Sequence, residues 1–283
     1  ALKSLLPQIT LIGGEEQANS LLQNARLTKD ENEIQHIRNM GQLTTSIVEE
    51  IADYLTSHKV KNGILTQSNQ EPLTIGEVKK KIRLLAAEKG VEFPEGFILS
   101  TGYDTAVPHS TSHSSDVIQL GVPLLFDIFP CERGGGYFYD FTRTWSLGFA
   151  PDEVCALYED VWQVYQEIIQ TINTSKNITC REIQVRTCEL FEQRNHPTPL
   201  SDNRTIQGFV HGLGHGIGLN IHEAPMISIL ADENERLLPY TVTTIEPGLY
   251  YPSKKAGIRI EDAYWVQPNG NLERLSDYPY DLI

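Results

Sequence analysis

The alternation of apolar and polar positions divides this chain into four blocks. Ile34, Ile37, Ile47, Val48, Ile51 and Leu55 share one helical face. They follow a Thr28-x-x-Glu31 capping box, which predicts a long helix to about residue 58. Thr74 and Glu77 form a second box, Val78, Ile82 and Leu85 continue one stripe, and Gly90 supplies a left-handed stop. The period then shortens. Residues 97–100, 122–128 and 137–147 predict strands, the second apolar up to its closing Asp127, the third reached through Gly134, Gly135 and Gly136. After Pro151, Leu157, Val161, Val164, Tyr165, Ile168 and Ile169 return to helical spacing, and a Thr179-x-x-Glu182 box opens another helix through Phe191. From Phe209 onward the pattern is strands and turns again.

Helices, strands, helices, strands is the signature of an α+β protein built as a pseudo-duplication. Each half pairs two helices with a hairpin that carries two acids: Asp127 and Asp140 in the first, Glu246 and Glu261 in the second. A curved antiparallel sheet covered by helices accommodates this order. Residues 1–26, with Pro7, Gly13 and Gly14, predict a strand or two or a linker, and 27–283 the functional domain.

Composition narrows the class. The chain has 283 residues, 40% of them hydrophobic, enough to bury a large core. Its net charge of -14, with no cluster of Lys or Arg, disfavours nucleic acid and anionic membranes as partners. The apolar run at 122–128 is too short to span a bilayer. Four cysteines without CxxC spacing predict reduced thiols and a cytoplasmic location.

The chemistry concentrates at a few positions. Asp127 closes an apolar strand, where a charge usually meets solvent. Asp140 lies in a β-branched and aromatic strand, where a buried carboxylate is costly unless paired or bound to metal. Four glycines among residues 211–218 exclude a stable helix around His211 and His215. The segment is either a glycine-rich turn with incidental histidines or a close backbone approach to a ligand, and it lacks the Gly-Lys-Ser/Thr of a phosphate loop. His222 offers a proton donor or a hydrogen bond to a carbonyl oxygen, or is a surface histidine. Glu246 precedes a Pro-Gly turn. Arg259 and Glu261 alternate onto one strand face, as a metal carboxylate with its supporting arginine or as a surface ion pair, and Asp262 points the other way. His109 and His113 compete for one loop role. Together Asp127, Asp140, His215, Glu246 and Glu261 make a donor set for two hard-to-borderline divalent ions, with manganese first and cobalt or zinc as alternatives. Two such ions activate water and polarise a carbonyl.

These motifs, in order, resemble the pita-bread metallopeptidases, in the Xaa-Pro branch of aminopeptidase P and prolidase. The matching stretches are Asp127, then Asp140-Phe141-Thr142-Arg143-Thr144, His211-Gly212-Leu213-Gly214-His215, Ile221-His222-Glu223, Ile245-Glu246-Pro247-Gly248 and Gly257-Ile258-Arg259-Ile260-Glu261-Asp262. The resemblance covers residue 25 to the end. It implies Asp140 and Glu261 bridging two metals, Asp127 on one, and His215 and Glu246 on the other. It implies His109, His211 and His222 as substrate-positioning histidines, Arg259 beside the last ligand, and Glu246 also as general base. Its expected activity is removal of an N-terminal residue preceding proline from short peptides, by a homodimer. The alternatives are a dipeptidase of Xaa-Pro, or a binding module on the same fold. Residues 1–26 would then be a linker or the remnant of an N-terminal domain. Three features depart from the pattern: Asp127-Ile128-Phe129-Pro130 replaces an Asp-x-Gly, Met226 stands where some prolidases carry a carboxylate-holding arginine, and only about 26 residues precede the catalytic part.

Overall fold

The computed structural model describes residues 8, 21–175 and 177–282. The expected strand or linker at the start falls partly outside these residues, and its described part, Leu21–Arg26, is a short helix, α1. Helix α2, Glu31–Thr56, starts two residues later than the sequence pattern suggests. Asp30 and Glu33 form its capping box, in place of Thr28 and Glu31. A small hairpin, β1 (Lys59–Lys61) and β2 (Ile64–Thr66), precedes α3, Ile75–Lys89. Thr74 caps α3 and Gly90, at φ 71°, closes it. Next come β3 (Val91–Glu92), β4 (Phe97–Thr101), β5 (Pro123–Ile128), β6 (Cys131–Glu132) and β7 (Phe141–Ser146). The second half opens with α4, Asp152–Thr174, and α5, Cys180–Gln193, the latter with a complete Thr179–Glu182 capping box. It ends in β8 (Gly214–Gly216), β9 (Glu223–Ile227), β10 (Val242–Ile245), β11 (Gly248–Tyr251), β12 (Ala256–Arg259), β13 (Asp262–Val266) and β14 (Leu272–Arg274).

The fold is α+β with antiparallel strand pairing, as expected. Strands β4, β5 and β7 make one sheet, and β14, β13, β10, β8 and β9 make another. Two cores sit on either side. One packs α2 and α3 on the first sheet through Ile37, Ile47, Ile51, Val78, Leu99 and Phe126. The other packs α4 and α5 on the second half through Val161, Val164, Ile168, Phe191, Ile245 and Ile258. The halves join where Thr142 and Glu261 exchange backbone hydrogen bonds of 3.3 and 3.1 Å. Two of the predicted acids differ in placement. Asp127 lies inside β5, flanked by β4 and β7, and is buried, so it does not end the strand in solvent. Asp140 immediately precedes β7, because strand pairing begins only at Phe141.

Candidate metal centre

The seam between the halves opens into a cavity of about 550 Å³. His109, Asp127, Asp140, His211, His215, His222, Glu246, Arg259 and Glu261 all line it, so every candidate from the sequence converges on one place. His113, the rival of His109, is exposed and does not. Asp127, Asp140, His215, Arg259 and Glu261 are buried, while His109 and His222 are exposed at the mouth.

The glycines around His215 have a steric cause. A Cβ on Gly214 would stand 2.0 Å from Thr244 O, and one on Gly216 would stand 2.1 Å from Ala224 O. Only glycine lets β8 run this close to its neighbours on both sides. His215 is thereby held with Nδ1 3.0 Å from Gly216 O. Donation from Nδ1 to that carbonyl leaves the Nε2 lone pair facing the cavity. There Nε2 lies 3.6 Å from Asp140 Oδ2 and 3.6 Å from Glu246 Oε1. Donor atoms of Asp140, His215 and Glu261 all fall within 4.8 Å of one another.

The carboxylates are short of partners. Asp127 Oδ1, Asp140 Oδ1 and Glu261 Oε1 are buried without a hydrogen bond. Five carboxylates line the cavity, Glu95, Asp127, Asp140, Glu246 and Glu261, and Arg259 is the single Lys or Arg side chain lining it among the described residues. Burial first, and mutual repulsion after it, push the Glu261 carboxyl well above the carboxylate range. Burial likewise raises Asp127 and Glu246, against the opposing pull of Arg259. His215 rises to about 9, its burial outweighed by Asp140 and Glu246. A pocket that must take up protons to stay neutral is one in which divalent cations can replace those protons. Orphaned oxygens and an aimed imidazole fit that replacement.

Arg259 holds a partner other than the one its spacing suggests. Its guanidinium is ion-paired to Asp127, and it also donates to Tyr250 Oη at 2.7 Å and Pro108 O at 3.3 Å. Glu261 is instead held by Thr142 Oγ1, which donates to its Oε2 at 2.7 Å. Both Arg259 and Glu261 do face the cavity, and Asp262 faces away as expected. Asp262 is fully buried, in an ion pair with Arg143 at 3.0 Å and a 2.6 Å hydrogen bond from Tyr165.

The histidines divide by environment. His211 has Nε2 2.9 Å from Tyr250 Oη and Nδ1 2.7 Å from Gly212 O. Arg259 donates to Tyr250, Tyr250 donates to His211 Nε2, and Nδ1 donates to the carbonyl. Burial and then the nearby guanidinium push His211 down to about 3, so its ring is neutral. Burial also lowers His109 and His222, aided by Arg259 and His215 respectively. The His222 ring stands edge-on to His215, with centroids 4.4 Å apart. The His109 loop is braced by Ser110 and Ser112, each donating to Asp104 at 2.7 Å. Sequence reasoning missed Tyr250 and Thr142. Their strand alternation with Gly248 and Asp140 respectively was visible, but nothing in the spacing names their partners. It also missed the apolar wall of Ile98, Phe129, Phe138 and Ile221.

An antiparallel α+β fold with this oxygen-rich, imidazole-containing pocket defines a divalent-metal hydrolase class. The family model for metallopeptidase family M24 matches residues 35–268, and the chain belongs to that family, as a metallo-exopeptidase. The Xaa-Pro dipeptidase of Pyrococcus horikoshii is 27% identical over 269 residues, which is 95% of this chain and 68% of the relative. The putative dipeptidase YkvY of Bacillus subtilis is 30% identical, covering 94% of this chain and 65% of the relative. The solved prolidase of Pyrococcus furiosus superposes with a TM-score of 0.75 at 26% identity, over 92% of this chain and 68% of that one. The X-Pro aminopeptidase of Thermotoga maritima has a TM-score of 0.77 at 24% identity, over 99% and 70%, and shows the pita-bread fold alone. The chain thus spans about two thirds of the length of these relatives. No helix among the described residues is long and apolar enough to cross a membrane.

Proposed function

We propose that residues 27–283 form a catalytic domain that hydrolyses the bond between a residue and a following proline, using two divalent ions. The observation that carries this reading is the set of orphaned carboxylate oxygens facing the lone pair of His215. Asp127, Asp140, His215, Glu246 and Glu261 would hold the ions. When bound there, divalent ions activate water and polarise the scissile carbonyl. The chain's own groups supply the rest. The Glu246 carboxylate takes a proton from the attacking water and returns one to the departing proline nitrogen. That nitrogen belongs to a tertiary amide and carries no hydrogen of its own. His109 and His222, kept neutral at the mouth, each offer an N–H to the oxygen on which charge develops. Phe129, Phe138, Ile98 and Ile221 exclude water from one wall.

The names of the relatives favour a dipeptidase of Xaa-Pro over the aminopeptidase expectation. One observation favours longer peptides. Met226 lines the cavity, and Arg259 is already engaged by Asp127 and Tyr250. A dipeptide's carboxylate would therefore meet no free guanidinium among the described lining residues. Steady-state hydrolysis of an Xaa-Pro dipeptide and a matched Xaa-Pro-Yaa tripeptide, after metal stripping and manganese reloading, decides between them. Preference for the dipeptide supports the dipeptidase. Preference for the tripeptide supports the aminopeptidase and the Met226 argument. No cleavage of either with metal bound overturns the catalytic reading in favour of a binding module.

A further inference from the structure

Lys29 and Glu223 form an ion pair of 2.9 Å, with side chains only 2% and 5% exposed. They lie 194 positions apart, on the residue before the α2 cap and the first residue of β9. Glu223 uses both oxygens. Oε2 takes Lys29, and Oε1 accepts the backbone N–H of Asn220 at 3.0 Å. Lys29 is fixed in turn by its own N–H, which donates to Tyr240 O at 2.9 Å. The space is cut to the pair: a Cβ on Gly218 would stand 2.6 Å from Glu223 Oε2 and 2.8 Å from Lys29 Cε. Arg26, at the end of α1, adds a second tie, with Nη1 2.8 Å from the Asn220 side-chain amide.

The bonds to Asn220 and the packing on Gly218 fall on the turn 218–222, and Glu223 directly follows its last residue, His222. Asn220, Ile221 and His222 from this turn line the cavity. A buried ion pair carries a desolvation cost that apolar residues of the same volume avoid, so its presence needs a reason other than stability. We infer that Lys29 and Glu223 clamp the turn that presents His222, and are positioning residues for the peptidase reaction proposed above. The clamp touches neither substrate nor the metal-facing carboxylates. It acts by fixing where the His222 ring stands over His215. A displacement of about 1 Å in such a group costs on the order of 100-fold in rate.

Glu223→Gln keeps the side-chain volume but leaves one carbonyl oxygen for two donors, and Lys29→Met removes the cation. Each is made in the wild-type and His222→Ala backgrounds and assayed manganese-loaded. In the wild-type background kcat falls about tenfold or more with KM within about twofold. In the His222→Ala background the same substitution costs less than about twofold, because the group it acts through is gone. Equal losses in both backgrounds overturn the inference. If Lys29→Met does not accumulate as folded protein, Glu223→Gln carries the test alone. An activity-free readout uses imidazole proton–carbon spectra of the zinc-loaded protein, which has eight histidines. The His222 resonance, identified by its loss in His222→Ala, shifts in Glu223→Gln while those of His109 and His211 hold. An unmoved His222 resonance overturns the clamp whatever the peptide assay gives. An inactive wild type, in contrast, overturns only the peptidase reading.

Discussion

Thr142→Val tests whether the metal centre depends on the seam between the halves. Thr142 is fully buried. Its hydroxyl donates to Glu261 Oε2 at 2.7 Å and accepts from Arg259 Nε at 3.3 Å. The backbone bonds between Thr142 and Glu261 do not involve the side chain and survive the change. Valine has the same branched shape, so the perturbation is one hydroxyl exchanged for one methyl. In the metal-free protein Glu261 then has both oxygens unpaired, since Oε1 already lacks a partner. Leaving a buried acceptor unsatisfied costs about 1–3 kcal/mol. At roughly 2–4 °C per kcal/mol for a chain of this order of size, the metal-free Tm falls by roughly 2–12 °C. Groups that orient a metal ligand are worth about 10–100-fold in affinity. Chelator-competition titration with manganese should therefore show a dissociation constant raised by that factor, with an unchanged circular dichroism spectrum. Affinity within about threefold of wild type would refute the reasoning. Glu261 would then be oriented by its backbone bridge alone.

Three further outcomes follow from the same geometry. Asp140→Ala or Glu261→Ala should abolish peptide hydrolysis and lower bound metal measured by elemental analysis, whereas His222→Ala should reduce turnover with metal retained. Stability against pH has a definite sign. Asp127, Glu246 and Glu261 have raised folded pKa values, so their contribution in the metal-free protein is present below about pH 4 and lost as pH rises through those values. His215 adds a contribution present below about pH 6.5 and lost through about 9. Metal replaces these protons. For one proton released per ion, affinity rises about tenfold per pH unit, so the Tm increment on adding manganese should be larger at pH 8 than at pH 6. An increment that is flat or larger at pH 6 contradicts this. Finally, Arg143→Ala should cost about 3–5 kcal/mol in urea unfolding, because it strands Asp262 in a fully buried site.

The elements most legible in the sequence were those set by local rules. The α3 and α5 caps, the Gly90 stop and the apolar β5 follow from residues within one turn or strand of each other. The cap of α2 was misplaced by two residues because two overlapping triplets, Thr28-x-x-Glu31 and Asp30-x-x-Glu33, satisfy the same rule. Lys29 is held outside the helix by its ion pair with Glu223 and by its backbone N–H on Tyr240 O. Asp127 was read as a metal ligand although a charge closing an apolar strand usually meets solvent, and β5 alone does not decide between the two. Its burial requires β4 on one side and β7 on the other, and neither pairing is encoded within β5 itself.

The site shows the same division. Residue types and order pointed to Asp127, Asp140, His215, Glu246 and Glu261, since carboxylates and histidines in apolar or glycine-rich surroundings are costly without a task, but not to Glu95, which also lines the cavity. Pairings across the seam were not legible. Arg259 was expected to serve Glu261, two residues away, yet it reaches Asp127, 132 positions earlier, while Thr142 serves Glu261. The reason is steric. Side chains two apart on one strand stand parallel, whereas the facing strand of the other half presents Asp127 head-on to the guanidinium. The pseudo-duplication thus brings two acids from each half to one cavity, and the interactions that orient them come mainly from the opposite half. It follows that a substitution such as Thr142→Val in the first half should be felt at Glu261 in the second, and that neither half alone contains a complete centre.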